Sequence, residues 1–212
     1  MQWTRRRVGP DGLSIVHTTM CPMAATENFA AHVVAMEWGY SQLSNGAPAL
    51  GDLPLEWNFM GSRSRGVIGY GCLDGAAPEW VHKQMTLRCL LTGVAPWPAL
   101  DLDLAMFKPL AGFDLSGYSF QDWRNRIAVT GAPGVATAVY KSRKRMLVLA
   151  GELAGDARKI SCTINLDRDI FASAKSLRVT VNGVSRSMSR KNLSALQLKL
   201  PAHGLATIII EP

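Results

Sequence analysis

Acid/base chemistry needs carboxylates held at a fixed separation with unequal proton affinities. The acids considered for such work are Glu37, Glu56, Asp74, Glu79, Asp101 and Asp103, and no two of them are adjacent. Asp101 and Asp103 would share one face of a strand, where a solvated or turn-capping role competes with catalysis. His17 closes the apolar run LSIVHTT. A histidine at the C-terminal end of a barrel strand can hydrogen-bond a substrate or relay a proton; the alternative is a buried, hydrogen-bonded histidine. Glu37 follows an apolar stretch and could reach the same rim, or stand on the surface as a helix-end acid. Trp38, Trp57 with its neighbour Asn58, and Trp97 occupy loop or element-end positions. Flat indole faces pack against the apolar side of a sugar ring, and core packing is their other role.

Other mechanisms lack their usual signatures. The chain has no Walker loop, G-x-G-x-x-G, H-E-x-x-H, EF-hand loop or G-x-S-x-G elbow. Cys21, Cys72, Cys89 and Cys162 are far apart and form no CxxC pair, so buried free thiols are expected, with neither a metal site nor a cofactor. The triplet Asn192, Leu193, Ser194 is a formal glycosylation acceptor that carries no weight alone. Net charge is +7, and the excess is C-terminal: residues 1–120 hold 8 basic and 10 acidic side chains, residues 121–212 hold 15 and 6. Within the C-terminal part, Lys141, Arg143, Lys144 and Arg145 are the one tight basic cluster. Scattered charge of this kind reads first as solvated loops and strand faces, and disfavours a nucleic-acid partner.

The elements that would position these groups change character along the chain. LSIVHTT, after the turn-forming GPDG, reads as a buried parallel strand. In residues 26–38, TENFAAHVVAMEW, the spacing of Phe29, Val33 and Met36 predicts a helix with Thr26 as its cap. Residues 44–56 are dense in turn formers, and GVIGYG beyond them reads as a second strand. The clearest helix starts near Pro78, presents Val81, Leu87, Leu90 and Leu91, and ends by Gly93 and Pro96. Residues 98–133 read as a connector.

Beyond Gly134 the period becomes two. VATAVYKS, MLVLAGEL, KISCTINL, LRVTV, GVSRSMS, SALQLKL and ATIIIEP are separated by short turns, which predicts a sandwich. Asn182 and Gly183 between two of these runs predict a two-residue hairpin. The expected fold class is α/β plus all-β: a partial (β/α) barrel end over residues 1–133, then an antiparallel β-sandwich over residues 134–212.

In this order, VGPDGLSIVHTT, TENFAAHVVAMEWGY, WNFMGSRSRGVIGYG, LLTGVAPWP and YSFQDWRNRIAVT before a closing β domain resemble the C-terminal end of barrel glycosidase-like proteins, nearest to glycoside hydrolase family 123. The resemblance implies a carbohydrate ligand and an adjacent Asp-Glu pair for catalysis. That pair is missing, so the resemblance also implies a fragment or truncated relative with little hydrolytic activity of its own. His17, Glu37, Trp38, Trp57, Asn58 and Arg65 are then substrate-binding rim residues, and no catalytic residue carries over. The alternative is a noncatalytic carbohydrate- or anion-binding scaffold. MQWTRRRVGPDG is followed by no apolar signal core, and no run of about 18 apolar residues occurs, so neither export nor a membrane partner is indicated within this chain; an upstream signal would change the localisation.

A barrel portion with uncovered faces is expected to self-associate or open easily. Hydrogen exchange on the purified chain is expected to protect residues 134–212 more strongly than LSIVHTT; equal, strong protection of LSIVHTT in a monomer would contradict this.

Overall fold

A computed structural model of the protein describes residues 7, 15–18, 32–35, 68–72, 79–93, 95–97, 106, 108, 110, 117–166 and 171–212. The chain divides into two compact units, Met1–Ala105 and Met106–Pro212. The described residues are β-rich, mostly antiparallel, and include few helices.

The first unit holds four parallel strands, β1 (Ile15–Thr18), β2 (His32–Ala35), β3 (Ile68–Cys72) and β4 (Ala95–Trp97), paired in the order β1-β2-β3-β4. Parallel neighbours need long crossovers, and the intervening segments 19–31, 36–67 and 73–94 supply them. The expected strands are present at Ile15–Thr18, within LSIVHTT, and at Ile68–Cys72, which overlaps GVIGYG. The helix expected over residues 26–38 is overturned at its centre, where His32–Ala35 is a strand flanked on both sides. A short apolar run has no period of its own, and two β-branched valines with ladder partners on either side decide for extended backbone.

Between β3 and β4 lies α1 (Glu79–Thr92). Glu79 stands in its positive first turn and pairs with Lys83, one turn on, at 2.6 Å. Gly93, at φ +71°, takes the left-handed position that ends the helix. The expected apolar set Val81, Leu87, Leu90 and Leu91 is buried, but so are His82, Gln84, Thr86 and Arg88. The helix is therefore sunk on nearly every side beyond its first turn. Desolvation lowers the Arg88 guanidinium to about 10, which still leaves it charged at neutral pH.

The second unit pairs two antiparallel sheets. The larger has the order β11-β10-β13-β8-β7-β5, and the smaller β12-β9-β6. The seven strands expected from the period-two pattern are all present: β7 (Val135–Lys141), β8 (Met146–Glu152), β9 (Arg158–Ile164), β10 (Leu177–Val181), β11 (Val184–Met188), β12 (Leu196–Leu200) and β13 (Leu205–Glu211). Two more, β5 (Ser119–Gln121) and β6 (Ala128–Val129), lie in the stretch read as a connector. They are three and two residues long, too short to show alternation.

One apolar core joins the sheets. Val148, Val179, Ile208 and Ile210 of the larger meet Ile160, Cys162, Leu196 and Leu198 of the smaller, and Phe171 from a turn and Leu193 from the short 3-10 helix Arg190–Ala195 close it. Each fully buried aliphatic side chain contributes about 1.5–3 kcal/mol relative to exposure. Strand β12 alternates strictly, Leu196, Leu198 and Leu200 inward, Gln197 and Lys199 outward. Strand β8 differs, because all seven of its residues are buried and it is covered on both faces. Burial also pushes the Cys162 thiol up to about 11, which makes it inert at neutral pH.

Asn182 (φ +46°) and Gly183 (φ +84°) form the expected hairpin turn between β10 and β11. The turn is pinned sideways: the Thr207 amide donates to Asn182 Oδ1 at 2.9 Å, and the Asn182 amide donates to the Thr207 carbonyl at 3.0 Å. Strand β11, next to it, is exposed up to Met188, which packs against the core, and Val184 is 72% exposed. Among the described residues no helix is long and apolar enough to cross a membrane.

Truncation separates these environments. Ile208→Ala is expected to cost roughly 2–5 kcal/mol in urea unfolding, whereas Val184→Ala should change stability by less than about 0.5 kcal/mol.

Candidate functional site

The candidate site is the C-terminal edge of the parallel sheet, where open α/β sheets and barrels alike place their ligands. Register aligns the four strands there. His17, Val34, Tyr70 and Ala95 form one transverse row, and Thr18, Ala35, Gly71 and Pro96 form the row at the edge. His17 is thus one residue from the end of β1, as the sequence predicted. Trp97 is the last residue of β4, paired with Cys72.

Of the six expected rim residues, His17 is placed on this edge. Glu37, Trp38, Trp57, Asn58 and Arg65 lie outside the described residues, as do Glu56, Asp74, Asp101 and Asp103. Glu37 and Trp38 follow the end of β2 by two and three positions in sequence. Glu79 is accounted for by its ion pair with Lys83, both side chains being solvent-accessible. Among the described residues no group of three or more His, Cys, Asp or Glu is arranged to hold a metal ion.

A second polar constellation, in the β unit, escaped the sequence reading. Glu152 ends β8 with its side chain wholly buried. The amide of Ala154 donates to Oε1 at 2.9 Å, and those of Gly155 and Asp156 donate to Oε2 at 2.7 and 3.1 Å. The His203 amide reaches Oε2 at 3.3 Å, and Arg158 Nη2 donates to Oε1 at 2.6 Å. Burial works against the charged form, but the amides of Gly155, Ala154 and His203 and then the Arg158 guanidinium outweigh it, holding the carboxyl below its ordinary value.

Backbone geometry is fitted to that carboxylate. Gly155 is at φ +91°, and a Cβ there would lie 2.9 Å from His203 Cε1. The Arg158 Nη1 donates to the Pro133 carbonyl at 2.8 Å, and the Leu153 amide donates to Gly134 at 2.7 Å. The constellation therefore binds three loops, 130–134, 153–157 and 201–204, to each other. Every strong acceptor direction of Glu152 is occupied, so its role is architectural and it has no capacity left for a substrate proton. Its sequence signal was an acid at the end of a continuous apolar strand followed directly by a Gly-containing turn.

No protein-family model matches the chain, and no curated protein matches it. Solved structures do. A noncanonic maltogenic alpha-amylase from Thermotoga neapolitana is 12% identical, with a TM-score of 0.57 over 100% of this chain and 57% of that one. An alpha-amylase from Geobacillus thermoleovorans, complexed with acarbose, is 9% identical, with a TM-score of 0.56 over 98% of this chain and 55% of that one. The likeness shows a glycosidase-like fold. The chain spans little more than half the length of the structures it matches.

Glu152 makes a pH prediction. Its folded-state pKa is depressed, so the stability it contributes is present above the ordinary value of 4.5 and is lost as pH falls through the lower, folded value. Glu152→Gln should cost about 3 kcal/mol at neutral pH. It should also flatten the decline of melting temperature below pH 4.5; a parallel decline in both proteins would deny Glu152 this role.

Proposed function

We propose that the chain is the C-terminal part of a glycoside hydrolase-like protein acting on carbohydrate, made of closing strands of a (β/α) barrel followed by a β-sandwich. The observation that carries this reading is the strand order. Four parallel strands follow one another without reversal, as barrel strands do, whereas a doubly wound sheet reverses its order at a switch point. Two antiparallel sheets with a common core come next. The alpha-amylase likenesses extend over both parts. Within such proteins, the segments quoted from the sequence favour family 123 as the nearest kin.

In this reading the substrate lies across the C-terminal edge of the parallel sheet. His17 hydrogen-bonds a sugar hydroxyl from the end of β1, and Glu37, Trp38, Trp57, Asn58 and Arg65 complete the rim from the segments that follow β2. Glycoside hydrolysis by paired carboxylates needs one acid to protonate the leaving oxygen and a second group to attack or to orient an internal nucleophile. The sequence has no adjacent Asp-Glu pair for that work. Since the adjacent pair is what the resemblance to family 123 implies, this reading assigns binding and orientation to this chain and not bond cleavage.

The purified chain, assayed on aryl glycosides including N-acetylhexosaminides, is expected to show no turnover above background. Turnover abolished by His17→Ala or Glu37→Gln would refute the division of labour. Saturable oligosaccharide binding that weakens in His17→Ala would support it.

A further inference from the structure

Strand register gathers six basic residues of the second unit at one end of its larger sheet. Lys141 pairs with Met146, Met146 with Ile210, Arg178 with Glu211 and Leu177 with Met188. The turn 142–145, the segment entering β10, the end of β13 and the segment leaving β11 therefore share that end. They bring Arg143, Lys144, Arg145, Lys175, Arg178 and Lys191 to it. Five of the six are exposed, and Arg145 is partly so. Among the described residues the acid set among them is Glu211, bound by Arg145 and Arg178 at 2.7 Å each.

The end is preorganised. Glu211 fixes two guanidinium groups side by side, and Ser142 Oγ accepts the amides of Lys144 and Arg145 at 3.3 and 3.1 Å, shaping the turn that projects the cluster. From β7 to β11 the strand spacing makes the patch roughly 19 Å wide. Cations crowded over that span repel one another, and a polyanion relieves the repulsion while keeping each contact solvated. Exposed positions beside the cations are Ser176, Ser189 and Asn192. Hydroxyl and amide groups hydrogen-bond sugar hydroxyls.

We propose that this basic end of the second unit is a binding surface for an acidic polysaccharide. The choice of a glycan over a nucleic acid rests on the carbohydrate reading above. The surface itself rests on register, exposure and charge alone. Carboxylates along the glycan meet the guanidinium and ammonium groups, and its hydroxyls meet Ser176, Ser189 and Asn192.

The test measures binding of the full chain to polygalacturonate, neutral amylose and a single-stranded oligonucleotide at low and high salt. Two double variants remove equal charge: Arg143→Gln with Lys144→Gln at the basic end, and Lys159→Gln with Lys199→Gln on the outer face of the smaller sheet. Unchanged melting temperatures establish that both fold. Polygalacturonate should bind more weakly as salt rises, and lose about tenfold in affinity with the first pair but less than about twofold with the second. Equal losses from the two pairs overturn the surface. Tighter binding of the oligonucleotide than of polygalacturonate, lost with the first pair, overturns the glycan assignment and leaves the surface to a nucleic acid. Because the readout is binding, absence of glycosidase chemistry does not affect it, and amylose binding insensitive to both pairs reports on the parallel-sheet edge instead.

Discussion

A single buried carboxylate governs how the β unit closes. Glu152 accepts from four backbone amides and one guanidinium, and the groups that donate come from two loops and the first residue of β9. An ionised group without water is tolerable only when its lone pairs are all engaged. Here that condition can be met in one arrangement of the chain. The turn after β8 has to curl back on the carboxylate, β9 has to start at Arg158, and the turn before β13 has to bring His203 within reach. Register in both sheets follows, since β8 pairs with β13 and β9 with β12 from those fixed starting points. The apolar core supplies most of the driving force, but it is indifferent to small slips; the carboxylate is not.

The first unit is organised by a different constraint. Parallel strands satisfy their backbone groups through neighbours on both sides, and each chain exit then falls at the same edge. Four strands in sequence order repeat that exit four times along one line. This is how a sheet with few chemically active residues in its strands can gather loop residues from distant parts of the sequence. Helix α1, sunk on most sides and carrying a charged Arg88 in its interior, shows that the unit also buries polar groups.

Legibility in the sequence followed the length and regularity of each element. The seven strands beyond Gly134 were readable because runs of five to seven residues rich in strand formers are bracketed by turn signals, and because Asn182 with Gly183 fits one kind of turn. Helix α1 was readable from its Pro78 start, its Gly93 stop and the leucines between. The segment around Val33 and Val34 was misread because alanines and a threonine cap imitate a helix where only neighbouring strands demand extension. Ala95–Trp97 and Ala128–Val129 are too short to carry a pattern. For the candidate site, the position of His17 near a strand end was legible, because an apolar run and a turn bracket it. Glu152 was not, since its significance depends on His203, some fifty positions away, and on amides that any residue possesses.

The position of β13 has a consequence for the order of synthesis. It is the last strand made in this unit, yet it lies inside the larger sheet, between β8 and β10. Until it emerges from the ribosome, the β10–β11 hairpin has no partner in that sheet and β8 presents an open edge of unpaired backbone groups. Residues are added at about 5–20 per second, so the nascent chain passes seconds in that state. A cell producing this protein has to shelter an unfinished sheet, and the burden falls on whatever holds the emerging polypeptide rather than on the folded molecule.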